Sequence, residues 1–257
     1  MNSKYALISV YDKKGIEEIC KTFLKFNINI ISTSSTSKHI ISLGYKCKSV
    51  SSFTKFKEIL DGRVKTLHPK LHASLLFDRK NKHHIKTFKS LNFPVIDFII
   101  VNLYPFKKFI NLNKNKKKCI EMIDIGGLAL LRSAAKNYKS VTVISNTNDY
   151  TNLINILNNN RGKTTLNFRK EMAYEVFTTT SSYDNAIATW LANKEKNKLQ
   201  LTTKTRIKLK YGENPNQKSF YYNDQKNKSL FKYQIQGKNL GYNNILDINS
   251  GLDCLNE

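Results

Sequence analysis

Tyr5-Ala-Leu-Ile-Ser-Val10, then Ile16, Ile19, Cys20, Phe23 and Leu24 at helical spacing, then Ile28-Asn-Ile-Ile31, decide the fold. The first run is short and almost wholly apolar, which suits a strand covered on both faces, and the spaced set that follows suits an amphipathic helix. This is a strand-helix-strand start. Ser37 to Leu43 reads as a helix, Tyr45 to Val50 as a strand and Phe53 to Leu60 as a helix. Val95 to Val101 is the most strand-like run, Gly127 to Ala135 a helix and Val141 to Ile144 the last strand. Strands separated by helices predict an α/β fold, a doubly wound parallel sheet with helices on both faces. From Asn148 to about Leu191 the pattern is purely helical, with Phe168, Met172 and Val176 four residues apart. The polar stretch Asn193 to Lys198 places a predicted boundary, giving a first domain over 1–198. The segment 199–257, with strand-like Arg206 to Tyr211 and Ser219 to Tyr222, reads as an incomplete α+β segment.

Composition narrows the function classes. The 257 residues are 40% hydrophobic and 11% aromatic, enough to build a core despite the lysine content. Cys20, Cys47, Cys119 and Cys254 form no CxxC pair, which argues against a zinc site or a disulfide framework and suits a reducing cytosol. The start lacks an apolar leader and no run is long enough to span a bilayer, so no membrane is implied and a cytoplasmic location is expected. The net charge of +24 would suit nucleic acid, but the lysines are spread diffusely and are not interleaved with base-stacking aromatics. Lysine, asparagine and isoleucine are abundant throughout, as an A/T-rich coding sequence would produce. Nucleic acid is therefore not expected as the partner, and a small-molecule substrate is.

In an open α/β sheet, ligands gather at the carboxyl ends of the strands. Ser9-Val10-Tyr11-Asp12-Lys13-Lys14-Gly15 follows the first strand and Thr33-Ser34-Ser35-Thr36 the second. Hydroxyls, a lysine and the N–H groups of a helix start suit a phosphate monoester, although the same residues would also suit an ordinary N-cap. Gly62-Arg63-Val64-Lys65-Thr66-Leu67-His68-Pro69 puts two cations, a hydroxyl and an imidazole within eight residues. If that loop is extended, Arg63 and Lys65 share a face, and each cation disfavours the other's charge. Asn102-Leu103-Tyr104-Pro105-Phe106 follows the most buried strand, and Ile123-Asp124-Ile125-Gly126-Gly127 enters a helix that ends in Ala134-Ala135-Lys136-Asn137.

In this order and spacing, the segments resemble the cyclohydrolase half of the bifunctional purine-biosynthesis family that combines aminoimidazole carboxamide ribonucleotide formyltransferase with IMP cyclohydrolase. Lys210-Tyr211-Gly212-Glu213-Asn214-Pro215-Asn216-Gln217 and Gly237-Lys238-Asn239-Leu240-Gly241-Tyr242-Asn243-Asn244 look like the opening of the formyltransferase half. The resemblance implies a methylglyoxal-synthase-like fold and an enzyme that closes the last purine ring. It marks Lys210 and Tyr211 as formyltransferase residues, with Lys210 where the family usually has arginine. It further implies a homodimer in the family, left open for this chain, and a formyl-tetrahydrofolate donor for the formyltransferase half. This chain is not expected to use that donor, because the family's lysine-histidine pair lies beyond the segments it matches.

The implied substrate is formamidoimidazole carboxamide ribonucleotide, whose carboxamide nitrogen attacks the neighbouring formyl carbon. Loss of water gives inosine monophosphate, with no metal or cofactor. Such a site needs a proton acceptor near the nitrogen and donors near the oxygen. The resemblance assigns Asp124 as acceptor, Lys65 and Tyr104 as donors, and Lys136 as charge support. It gives phosphate and ribose to Ser9, Lys13, Thr33, Ser34, Ser35, Thr36, Arg63 and Thr66, and the base to Asn102, Ile125, Gly126 and Gly127. Ser34-Ser35 stands where relatives carry Gly-Gly. An inactive remnant and a nucleotide- or phosphate-sensing module of the same fold stay open as alternatives, as does a methylglyoxal synthase, which would lack the NLYPF and IDIGG segments.

Overall fold

The computed structural model describes residues 4–112, 115–192, 203–224 and 230–255. The chain divides into two compact units, Met1–Ala192 and Asn193–Glu257. The predicted boundary stretch Asn193 to Lys198 lies outside the described residues.

The first unit is built on five strands: β1 (Lys4–Val10), β2 (Ile28–Ser32), β3 (Lys48–Ser49), β4 (Ile96–Asn102) and β5 (Thr142–Ile144). They pair in the order β3-β2-β1-β4-β5, every pair parallel. This is the doubly wound sheet the alternation predicts. Ala6, Leu7, Ile8, Ile99, Ile100 and Val101 are at most 1% exposed, because helices cover both faces of the central strands. That is why β1 and β4 read as continuous apolar runs with no polar alternation. The strand order reverses between β1 and β4, so their carboxyl ends flank the crevice in which such sheets bind ligands.

Helices α1 (Ile16–Lys25), α2 (Ser34–Ser42), α3 (Val50–Thr54), α4 (Pro69–Leu76), α5 (Lys82–Ser90), α6 (Phe106–Leu112), α7 (Lys116–Glu121), α8 (Gly126–Lys136), α9 (Tyr150–Asn159) and α10 (Leu166–Leu191) complete the unit. α1 starts from Gly15 at φ 75°, a left-handed position open to glycine, where an added Cβ would also press on the Tyr150 ring at 3.2 Å. Ile16, Ile19, Cys20 and Phe23 are buried as their spacing predicts, but Leu24, a further 100° around the helix, is 66% exposed.

Several local expectations are corrected. α2 begins at Ser34, three residues before the predicted start, so Ser34, Ser35 and Thr36 are its first turn. Only Lys48 and Ser49 of the predicted strand pair in the sheet, because Ser49 caps α3 by accepting from the Ser52 amide. The predicted helix from Phe53 to Leu60 does not form. α3 ends at Thr54, Lys55 turns left-handed at φ 64°, and Ile59 pairs with Val64 around Leu60, Asp61 and Gly62, all at positive φ. Ile59 and Leu60 are 45% and 66% exposed, so no apolar face was available to hold a helix there.

In the second unit β6 (Thr203–Lys208) pairs antiparallel with β7 (Phe220–Asp224), and α11 (Tyr242–Leu255) follows. Both strands are offset from the predicted runs. Tyr211 ends instead against Gly241, where any Cβ would collide with its ring, while its carbonyl accepts from the Tyr242 amide at 3.1 Å.

Candidate active site

Asn102, the last residue of β4, joins the two sides of the crevice. Its Oδ1 accepts from the amides of Tyr11 and Asp12 at 2.6 and 3.0 Å, and its Nδ2 donates to the Asp12 carbonyl at 2.8 Å. Expected to touch the base, it spends its amide on the loop after β1. The loop so held brings Tyr11 edge-on to Tyr104, with centroids 5.5 Å apart. Lys13 follows, half-buried in the same loop.

The start of α2 is arranged differently at each hydroxyl. Thr33 stands at the N-cap, yet its hydroxyl donates to Ser9 Oγ at 3.0 Å and no side chain caps the helix. The first turn of α2 therefore carries no side-chain cap, and a helix start of this kind favours negative charge. Ser34 donates to Glu58 Oε2 at 3.1 Å, and Ser35 is exposed. Thr36, 1% exposed, accepts from the Val10 amide at 3.2 Å and donates to the Val10 carbonyl at 3.1 Å. The expected phosphate ligand is thus a tie between α2 and β1. A cavity of about 230 Å³ opens beside these residues, lined by Thr33, Ser34, Phe56, Lys57, Glu58 and Lys65 among others.

The turn at 60–62 delivers Arg63 to Thr66. Arg63 has helical φ and ψ (−63°, −29°), so it and Lys65 do not share an extended face. The Arg63 guanidinium instead pairs with the Glu121 carboxylate through two nitrogens, which holds its pKa above the ordinary value and that of Glu121 below. Thr66 is 3% exposed and packs so closely on Gly126 that a Cβ there would collide with its hydroxyl. Pro69 opens α4 at a position where its missing N–H costs nothing, with His68 Nδ1 accepting from the Lys70 amide at 3.1 Å.

Asp124 sits in the turn between α7 and α8. Its Oδ1 accepts the Gly127 N–H at 2.7 Å, and a Cβ at Gly127 would strike the carboxylate, so the Gly126-Gly127 pair admits Thr66 on one side and Asp124 on the other. Burial pushes the Asp124 carboxyl above its ordinary pKa, while the Gly127 N–H and the Lys65 ammonium pull the other way. Lys65 thus acts on the charge of Asp124 from a distant part of the chain. The Asp124 amide donates to the Tyr183 hydroxyl at 2.9 Å, and Tyr183 senses Tyr104 as a neighbour. Lys65 is therefore an electrostatic neighbour of Asp124, and Tyr104 of the Tyr183 that bonds the Asp124 amide, while the exposed Ile125 separates Asp124 from the glycine pair.

Lys136 is not brought into this group. It is exposed at the other end of α8, about 15 Å along the axis from Gly126 at 1.5 Å per residue. Lys210 and Tyr211 belong to the second unit. Glu58, Glu121, Phe56 and Tyr183 went unnoticed in the sequence, because single carboxylates and aromatics outside a motif carry no local signal. Among the described residues, no group of three or more His, Cys, Asp or Glu could hold a metal ion, and no helix is long and apolar enough to cross a membrane.

The parallel sheet and the motifs at its carboxyl edge define an MGS-like α/β domain, and residues 15–129 match the MGS-like domain family. Residues 134–257 match the AICARFT/IMPCHase bienzyme family. Over nearly its whole length the chain is similar to bifunctional purine biosynthesis proteins. The protein PurH of Lactobacillus acidophilus is 43% identical over 262 residues, covering 99% of this chain and 51% of that relative. PurH of Bacteroides thetaiotaomicron is 39% identical over 254 residues, covering 99% of this chain and 50% of that relative. The chain spans about half the length of the curated relatives it matches. The crystal structure of ForH superposes with a TM-score of 0.66 at 24% identity, covering 74% of this chain and all of that one, a likeness of fold.

Proposed function

We propose that this chain is an IMP cyclohydrolase, closing formamidoimidazole carboxamide ribonucleotide to inosine monophosphate and water. The observation that carries the reading is the half-buried Asp124 carboxylate seated against the Gly127 N–H at the start of α8, within the electrostatic influence of the Lys65 ammonium. In the reaction the carboxamide nitrogen attacks the formyl carbon of the same molecule and gives up one proton, the formamido nitrogen gives up a second as its double bond to that carbon forms, and the formyl oxygen departs with both as water. Nucleophile and electrophile already sit on one ring, so the protein has mainly to hold the reactive rotamer and move protons. Asp124, half-buried and raised in pKa, takes the proton from nitrogen. Lys65 and Tyr104 donate to the oxygen as charge develops on it. Lys136, exposed at the C-terminal end of α8, is given no step in this set.

Thr33, Ser34 and the uncapped first turn of α2 receive the phosphate, with Lys13 and Arg63 supplying charge. Ring closure is a dehydration with no change of oxidation state, so no redox cofactor is assigned. Calorimetric titration with inosine monophosphate tests the site: saturable binding that is weakened in Lys13→Ala supports it, and no binding by folded protein rejects it.

A further inference from the structure

We propose that Tyr183, on α10, is a positioning residue for ring closure, fixing the turn that aims the Asp124 carboxylate. The inference rests on the cyclohydrolase reading for its functional meaning and on geometry for the rest. α7 ends at Glu121 and α8 begins at Gly126. The Met122 and Ile123 amides still donate to α7 and the Ile125 carbonyl accepts from α8, but the Met122 carbonyl and the Asp124 amide turn to a partner outside both helices. One hydroxyl meets both. Tyr183 Oη donates to the Met122 carbonyl at 2.9 Å and accepts from the Asp124 amide at 2.9 Å. The ring leans on Phe106 with centroids 6.2 Å apart, which anchors the hydroxyl from a helix that contributes no other group to the constellation.

The two bonds pin the turn on both sides of Ile123. With the turn fixed, Asp124 Oδ1 meets the Gly127 N–H at 2.7 Å, and among the described residues no hydrogen bond reaches Oδ2, the oxygen left for a substrate proton. Burial pushes the Tyr183 phenol up to about 12, so it stays protonated and keeps its donor for Met122 throughout the working range. The charged and titratable groups around the pair are Lys65 facing Asp124, and Tyr104 and Asp184 facing Tyr183. A residue that merely filled space would need the ring and not the hydroxyl.

Tyr183→Phe keeps the ring and removes both bonds. The turn then loosens, and the Gly127 N–H that lowers the Asp124 pKa engages it less. Expected are an upward shift of about half a pH unit in the Asp124 carboxyl titration, followed by nuclear magnetic resonance, and Asp124 amide exchange accelerated by about a hundredfold. For ring closure, kcat falls about tenfold with KM within twofold, and adding the change to Asp124→Asn costs nothing more, since the residue acts through Asp124. Unchanged titration and exchange in the folded variant would overturn the proposal, even if the melting temperature drops. Those two readouts need no turnover, so failure of the cyclohydrolase reading would show separately, as a lack of activity in the unaltered protein. Should the variant not fold, amide exchange in the unaltered protein decides: protection of Asp124 comparable to β4 is expected, and exchange at the free-peptide rate overturns it.

Discussion

The guanidinium of Arg63 is held by the carboxylate of Glu121, a pair formed across 58 residues of sequence. Arg63 is a cation the proposed reaction needs for phosphate, so in the free protein a carboxylate occupies it. Both side chains are largely exposed, at 65% and 56%, and the pair is correspondingly weak. Substrate phosphate, with more charge, would displace Glu121. Glu121→Gln is therefore expected to lower KM for the ribonucleotide by about threefold, the order set by the loss of one exposed competitor, with kcat unchanged. A raised KM in steady-state kinetics would show that Glu121 instead holds Arg63 in its working position.

The serines at the start of α2 lead to a second expectation. Neither Ser34 nor Ser35 has positive φ, so glycine is not required by the backbone at either place. Glycine in a helical turn costs about 0.5–1 kcal/mol, while the serines contribute hydroxyls that can donate to phosphate oxygens. Replacing both by glycine is expected to change KM by less than about tenfold, or ~1.4 kcal/mol, and to leave kcat alone, because phosphate is remote from the reacting amide. A hundredfold gain in affinity would mark the serines as damage and favour an inactive remnant.

Thr36 separates structural from ligand-binding hydroxyls. Thr36→Val abolishes both bonds to Val10 and leaves a buried amide and carbonyl short of a partner, at about 1–3 kcal/mol. Thermal unfolding is expected to fall by roughly 3–10 °C for a unit of this size, with inosine monophosphate affinity within twofold. A large loss of affinity with little loss of stability would return Thr36 to the phosphate site.

Asp124 gives a pH signature. Burial raises its pKa in the folded state, so ring closure is expected to decline on the acid side at a pH above the ordinary carboxylate value, and Asp124→Asn to lose about a hundredfold in kcat. The stability sign follows from the same shift. The unfolded carboxyl ionises first as pH rises, so stability falls between the unfolded and folded pKa values and the cost persists above them. At neutral pH, Asp124→Asn is therefore expected to unfold no lower than the unaltered protein, since its side-chain oxygen can still accept from Gly127. A lower melting temperature for Asp124→Asn would contradict the buried-carboxylate assignment.

Much of this was legible in the sequence. β1, β2, β4 and β5 are runs whose apolar character has one cause, burial on both faces, and so their membership of one parallel sheet was legible while their order in it was not. The glycine pair after Asp124 was visible as a motif, but its reason, the close approach of Thr66 and of the carboxylate itself, is a contact between distant segments. The same limit hid Tyr183 and Glu121, which act on Asp124 and Arg63 across tens of residues. The helix expected from Phe53 to Leu60 failed for the opposite reason. Its local pattern looked helical, while the left-handed turn at Leu60, Asp61 and Gly62 was needed to present the lysine loop.

The most direct measurement is an ultraviolet assay of the purified chain on formamidoimidazole carboxamide ribonucleotide, with no folate or metal added and folding checked by circular dichroism. The account predicts turnover to inosine monophosphate, reduced about a hundredfold in Lys65→Ala, the scale for losing one oxyanion donor. Absence of turnover by folded protein, or full activity in both Lys65→Ala and Asp124→Asn, would contradict it.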